Sequence, residues 1–252
     1  QILQVLEHCE MAEIRLDRCA LTPRQIDECF SSDVPLVATC RVADVMANDP
    51  TLQDSALSEP SRRIKSMQIA EKRLVRAIEA GARYVDVEME VEKQMSKRIR
   101  NVAHESGTIF IRSYHDFEGT DSLEGLKAMV EKCRYHGADI VKLVTTARTQ
   151  DDVDRVMALY DEPGCADGNL IAFCMGEAGK QSRLECLKYG SPYTYAALSA
   201  EEVAAPGQWP VEDMMKAVYG GGTCCTFIGE SLQENRDRYP LSMPCSKSFA
   251  QR

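Results

Sequence analysis

The sequence predicts an α/β fold built on a parallel sheet, and three observations lead there. Short runs rich in β-branched and aliphatic residues alternate with amphipathic helical segments along the chain. The connections between them are short, as a strand-helix alternation on one sheet requires. A length of 252 residues accommodates either two ordinary domains or one large barrel. The usual closures are an open doubly wound sheet and a (β/α)8 barrel, and no G-x-G-x-x-G follows the first strand to support a dinucleotide-binding sheet.

Seven strands are expected: "MAEIRLD" (11–17), "PLVATCR" (35–41), "YVDVEME" (84–90), "TIFIRSYHD" (108–116), "DIVKLVT" (139–145), "NLIAFCMG" (169–176) and "SPYTYAAL" (191–198). Helical patterns separate them. "TPRQIDECF" carries Thr22 as N-cap and Pro23 in the first turn. A long helix is expected over 61–80, followed by "SLEGLKAMVEKCRYHG", "TQDDVDRVMALY" and "KQSRLECLKYG". The opening "QILQVLEHC" reads as a helix, so an eight-stranded barrel needs one further strand upstream of Gln1. The absence of an initiator Met fits a chain cut from something longer. Gly220, Gly221 and Gly222 follow a helix and read as a flexible exit from the domain, not as a phosphate cradle.

Composition narrows the function classes. A 44% hydrophobic and 27% charged content is that of a globular chain. No apolar run approaches the roughly 18 residues of a membrane span, and the first ten residues lack the basic and apolar regions of an export signal. A net charge of -9 argues against a nucleic-acid partner, because phosphate binding needs clustered cations. The 11 cysteines form no C-x-x-C pair, and adjacent Cys224 and Cys225 suit neither a normal disulfide nor a zinc knuckle. Reduced thiols in a cytoplasmic protein are expected, with Cys40 and Cys174 acting as small hydrophobes inside strands.

Ligands of parallel α/β folds sit at the carboxyl ends of the strands, where this chain places many polar residues. They are Glu13, Arg15 and Asp17 on one face of the first strand, Arg41 ending the second, Asp86 and Glu88 on the third, Ser113 and His115 on the fourth, and Lys142 in the fifth. A single such charge is commonly an ion-paired structural residue. Several converging from different strands carry a large desolvation cost unless they serve a polar ligand. Lys142 is the sharpest case, flanked by Ile140, Val141, Leu143 and Val144. Burial and neighbouring cations would both favour its uncharged amine, a nucleophile toward carbonyls. His115, one strand earlier, is suited to acid and base work near neutral pH.

Six motifs, "EIRLD" (13–17), "SYHDF" (113–117), "DIVKLV" (139–144), "MGEAGKQSR" (175–183), "SPYTYAAL" (191–198) and "APGQ" (205–208), resemble those of type I 3-dehydroquinate dehydratases in order and spacing. The resemblance covers about residues 1–219. It implies a (β/α)8 barrel, with its first strand absent from this chain, that removes water from 3-dehydroquinate without metal or organic cofactor. By the resemblance Lys142 is the Schiff-base lysine and His115 the general base that also protonates the leaving hydroxyl. Glu13 and Arg15 resemble contacts to the hydroxyl and carbonyl side of the substrate, and Arg183 the partner of its carboxylate. Gln208 resembles a lid residue, Arg41 the arginine after the second strand, and Met175 an apolar wall beside the ring.

Two positions depart from the family pattern. After the arginine the family carries a glutamate that orients the catalytic histidine, whereas this chain reads "CRVADVMANDP" with Val45 near that place. Asp44, Asp17 and Glu88 are the acids at hand to replace it. Ala204 precedes "APGQ" where a hydroxyl side chain is common. Residues 220–252 are expected to form a linker and tail, and "PLSMPCSKSFAQR" (240–252) is similar to the opening of 5-enolpyruvylshikimate-3-phosphate synthase, with Lys247 and Arg252 at its anion-contacting positions. The expected partners are the small substrate and either a second copy in a homodimer or further domains of a multifunctional chain. Two other functions remain open at this point: another imine-forming lyase or aldolase on the same barrel, and a noncatalytic barrel module.

Overall fold

The computed structural model describes residues 11–53, 57–201, 203 and 205–219. Six strands, β1 (Ala12–Arg15), β2 (Leu36–Thr39), β3 (Tyr84–Glu88), β4 (Ile109–Asp116), β5 (Ile140–Thr146) and β6 (Leu170–Met175), follow one another across the sheet in chain order. β1 through β4 pair in parallel. A doubly wound sheet reverses its strand order at a switch point, and this sequential order has none.

The chain divides into two compact units, the first holding residues up to His115 together with Glu124–Leu143. In it, α1 (Pro23–Phe30), α2 (Val42–Asn48), α3 (Glu59–Glu79), α4 (Lys93–Glu105) and most of α5 (Leu123–Tyr135) accompany β1 to β4. Its core joins Leu36, Ala38, Val85, Val87 and Phe110 from the strands to Ile26, Phe30, Leu74, Ile78, Met95 and Ile99 from the helices. The second unit holds Asp116–Leu123 and the residues from Val144 onward, with α6 (Gln150–Met157), α7 (Ser182–Lys188) and α8 (Val211–Tyr219).

Local signals account for the helix starts. Thr22 accepts from Gln25 N while the Gln25 side chain accepts from Thr22 N at 2.9 Å, and Pro23 occupies the first turn, so α1 begins where the sequence predicts. Thr149 and Asp152 cap α6 in the same reciprocal way. Ser58 caps α3, which starts at Glu59, two residues before the expected 61. The helices α2 and α4 are additions to the predicted set, and α8 is the helix expected before Gly220. α4 buries only Met95, Ser96, Ile99 and Ala103 of its thirteen residues, a stripe too narrow to stand out in sequence.

One expected strand is not formed. Residues 191–198 contribute a single isolated bridge, Ala197 to Pro210. Pro192 has no N–H to give to a ladder, and Ser191 turns inward instead, its N donating to Cys186 O and its Oγ to Tyr193 O. The opening helix "QILQVLEHC", Ala204, Gly220 to Gly222, Cys224, Cys225, Lys247 and Arg252 lie outside the described residues. No helix among the described residues is long and apolar enough to cross a membrane.

Candidate active site

Strand register decides which side chains of the first unit share a face. Glu13 and Arg15 pair with Val37 and Thr39, Thr39 pairs with Asp86, and Glu88 pairs with Ser113. Because side chains alternate along each strand, Glu13, Arg15, Thr39, Asp86, Glu88, Ser113 and His115 all project to one side. Thr39 Oγ1 accordingly donates to Glu13 Oε1 at 2.8 Å.

Lys142 is only 5% exposed, and its Nζ donates to Asp86 Oδ2 at 2.9 Å, with Glu13 Oε1 at 3.8 Å. Cations were expected beside this amine; carboxylates on β3 and β1 are its ion-pair partners. Asp86 Oδ2 also accepts from Arg41 Nη2 at 3.1 Å, while Asp86 Oδ1 accepts from Ser113 Oγ. Arg41 Nη1 donates to Ser113 Oγ at 2.9 Å. Burial works against the Asp86 charge, yet Arg41, Lys142 and His115 overcome it and hold the carboxyl well below its usual range. Burial likewise opposes the Arg41 charge, and Asp86, Glu88 and Glu13 hold that guanidinium protonated.

His115 is pushed well below the ordinary histidine value, first by burial and then by the charges of Lys142, Arg41 and Arg15, with Asp86 opposing. It is therefore neutral near pH 7 and able to take a proton. Part of its depression comes from the Lys142 charge itself. Loss of that charge makes the imidazole a stronger base.

Arg41 was expected to end the second strand, but β2 stops at Thr39 and Arg41 is the N-cap of α2. Its backbone N donates to Asp17 Oδ1 at 3.0 Å. Asp17 lies in the turn after β1 and folds back on Arg15, accepting from Arg15 Nη2 at 2.6 Å, and Arg15 also pairs with Asp44. Glu88 accepts from Val42 N at 3.2 Å and faces Arg41 Nη1 at 3.6 Å. The three acids nominated to replace the missing glutamate are thus each engaged by an arginine, and Val45 is fully buried in the core.

Met175, Arg183 and Gln208 belong to the second unit. Met175 is the buried last residue of β6. Arg183 is 3% exposed, with its Cζ 4.5 Å from the Phe173 ring centroid. Among the described residues no carboxylate pairs with it, its Nε lacks a hydrogen-bond partner, and burial pushes the guanidinium down to about 10. Gln208 is half-buried between two anchored neighbours. Gly207 has φ +74°, and a Cβ there would lie 2.2 Å from Gly176 O, so only glycine allows this approach. Trp209 Nε1 donates to Lys180 O at 2.9 Å.

Fold and site together define an α/β protein of the sequential parallel-sheet class, with a buried lysine bridged by carboxylates. The chain belongs to the type I 3-dehydroquinase family, whose sequence profile matches residues 1–220. The 3-dehydroquinate dehydratase of Desulfotalea psychrophila is 39% identical over 141 residues, 56% of this chain and 62% of the relative. The bifunctional 3-dehydroquinate dehydratase/shikimate dehydrogenase, chloroplastic, of Arabidopsis thaliana is 35% identical over 139 residues, 55% of this chain and 22% of that protein. The chain spans about three fifths of the length of the single-function curated relatives it matches. The solved type I 3-dehydroquinate dehydratase of Clostridium difficile has a TM-score of 0.67 at 22% identity, covering 84% of each chain, which shows a shared fold. That fold is of the α/β barrel class expected from the sequence.

Proposed function

We propose that this chain dehydrates 3-dehydroquinate to 3-dehydroshikimate through an imine on Lys142. The observation that supports it best is the buried Lys142 amine on β5 together with a neutral His115 on β4. The uncharged amine adds to the substrate ketone, and one water leaves with uptake of one proton, which the final hydrolysis returns; the resulting iminium withdraws electrons from the adjacent carbon. His115 takes the proton from that carbon and returns it to the departing hydroxyl, which leaves as water. Hydrolysis of the conjugated iminium consumes one water and frees Lys142, so the net change is loss of one water from the substrate.

Arg183 is proposed to bind the substrate carboxylate, since its buried charge has no anion partner among the described residues and its planar fork suits a carboxylate. Glu13, Arg15 and Arg41 are proposed to contact substrate oxygens, Met175 to wall the ring, and Gln208 to close over it. The Cys19, Cys29, Cys40, Cys133, Cys174 and Cys186 side chains are free thiols, which supports a cytoplasmic setting. A multifunctional polypeptide is proposed as the context, supported by the bifunctional Arabidopsis relative.

Borohydride added with 3-dehydroquinate is expected to leave a reduced adduct that maps to Lys142 by peptide mass spectrometry. A Lys142→Ala protein that retained wild-type dehydration would overturn the reading.

A further inference from the structure

We propose that Asp86 is the positioning carboxylate of this site: it fixes the Lys142 amine and the Arg41 guanidinium on one oxygen and supplies, from β3, the negative charge that Val45 does not. The inference rests on the imine reading above. Asp86 is 1% exposed and both of its oxygens are engaged, Oδ2 by Lys142 and Arg41, Oδ1 by Ser113. Arg41, Ser113 and Asp86 close a ring of hydrogen bonds, which sets the plane of the carboxylate.

The neighbouring acids are engaged differently. Asp17 and Asp44 hold Arg15, Glu88 caps Val42 N, and Glu13 accepts from Thr39. Asp86 meets the reacting nitrogen at a hydrogen-bond distance of 2.9 Å. A neutral amine has two N–H bonds and one lone pair. Pinning one N–H on Asp86 restricts rotation about the Cε–Nζ bond, and with it the directions the lone pair can take toward a ketone. Held by the Arg41 guanidinium and the Ser113 hydroxyl, Asp86 remains an anion and acts as a fixed acceptor, leaving proton transfer to His115. Besides burial, Lys142 from β5, Arg41 after β2 and Arg15 from β1 disfavour the protonated form of His115, and Asp86 from β3 favours it.

The test is Asp86→Asn in the full chain, which keeps the shape and removes the charge. Borohydride trapping with 3-dehydroquinate is followed by intact mass, and kcat/KM is measured against pH, both beside wild type. Adduct formation is expected to slow about 10²-fold, as for a misplaced reacting group. The acid limb of kcat/KM is expected at lower pH than in wild type, since His115 loses the anion that favours its protonation. Asp86→Glu is expected to restore the limb and part of the rate. Should Asp86→Asn fail to fold, Ser113→Ala removes the bond to Asp86 Oδ1 and the one from Arg41 Nη1, opening the ring that sets the carboxylate plane, and is expected to slow trapping; a wild-type trapping rate in that variant would overturn the role. A wild type that neither traps nor dehydrates sinks the imine reading and this inference with it. A wild type that traps, beside an Asp86→Asn protein with the same rate and the same acid limb, sinks the positioning role alone.

Discussion

Lys142 in the first unit and Arg183 in the second are cations buried to nearly the same depth, 5% and 3% exposed, yet the protein treats them oppositely. Lys142 meets Asp86 at 2.9 Å and shares it with Arg41. Arg183 lies over Phe173 with no carboxylate partner among the described residues. In the proposed reaction Lys142 must act in a defined direction, and a fixed anion serves it. Arg183, without a carboxylate among the described residues, is open to one from outside. The first arrangement ties stability to each member of the network, and the second, in the proposed role, gives up stability for binding.

The largest effect should come from separating the two duties within the first unit. His115→Ala removes proton transfer but leaves the nucleophile, so turnover should fall about 10²–10⁴-fold while the borohydride adduct on Lys142 still forms. A variant that loses both adduct and turnover would show that His115 is also needed to free the amine. Next in size, Asp86→Ala strands Lys142 and Arg41 without their shared anion, and should lower stability in denaturant unfolding by about 3–5 kcal/mol.

Arg183→Met sharpens the contrast because its two readouts should move in opposite directions. Replacing a buried, unpaired charge with an apolar side chain of similar length should raise stability by about 1–2 kcal/mol. Loss of a charged hydrogen-bonding partner should raise KM for 3-dehydroquinate about 10–100-fold. A destabilised Arg183→Met protein with unchanged KM would make Arg183 structural and erase the difference from Lys142.

The smallest effect is in pH. His115 acts as a base only when neutral, and its folded value lies well below 6.5. Activity should therefore persist as the pH falls past 6.5 and drop only near the lowered value. The unfolded chain binds this proton at an ordinary pH and the folded chain does not, so stability should decline with falling pH between those two values. His115→Gln, compared with wild type by thermal unfolding across that window, should flatten the slope.

Much of this site is legible along the chain because a strand's alternation is local. Glu13 with Arg15, Asp86 with Glu88, and Ser113 with His115 share faces by spacing alone, and the observed registers keep all of them on one side. The Thr22 and Thr149 caps are equally local and start α1 and α6. Lys142 stands out for the same reason, a charge inside an apolar run.

The partners of these residues are not local. Asp86 and Lys142 are 56 positions apart, Arg41 and Ser113 are 72, and their meeting depends on which strands lie side by side. Sequence therefore points to Asp17, Asp44 and Glu88 as replacements for the absent glutamate, whereas packing gives those acids to arginines and brings Asp86 to the amine. Residues 191–198 look strand-like by composition but run as irregular backbone anchored on Cys186, Trp209 and Pro210, because strand formation needs a ladder partner as well as a pattern. The alternation of strands and helices, the helix caps and the presence of a lysine in an apolar strand were determined by the sequence alone, since each rests on neighbours a few residues away. Which anion faces that lysine, which buried arginine has none among the described residues, and that Val45 is core were decided by tertiary structure, since each depends on contacts between segments that only strand order and register bring together.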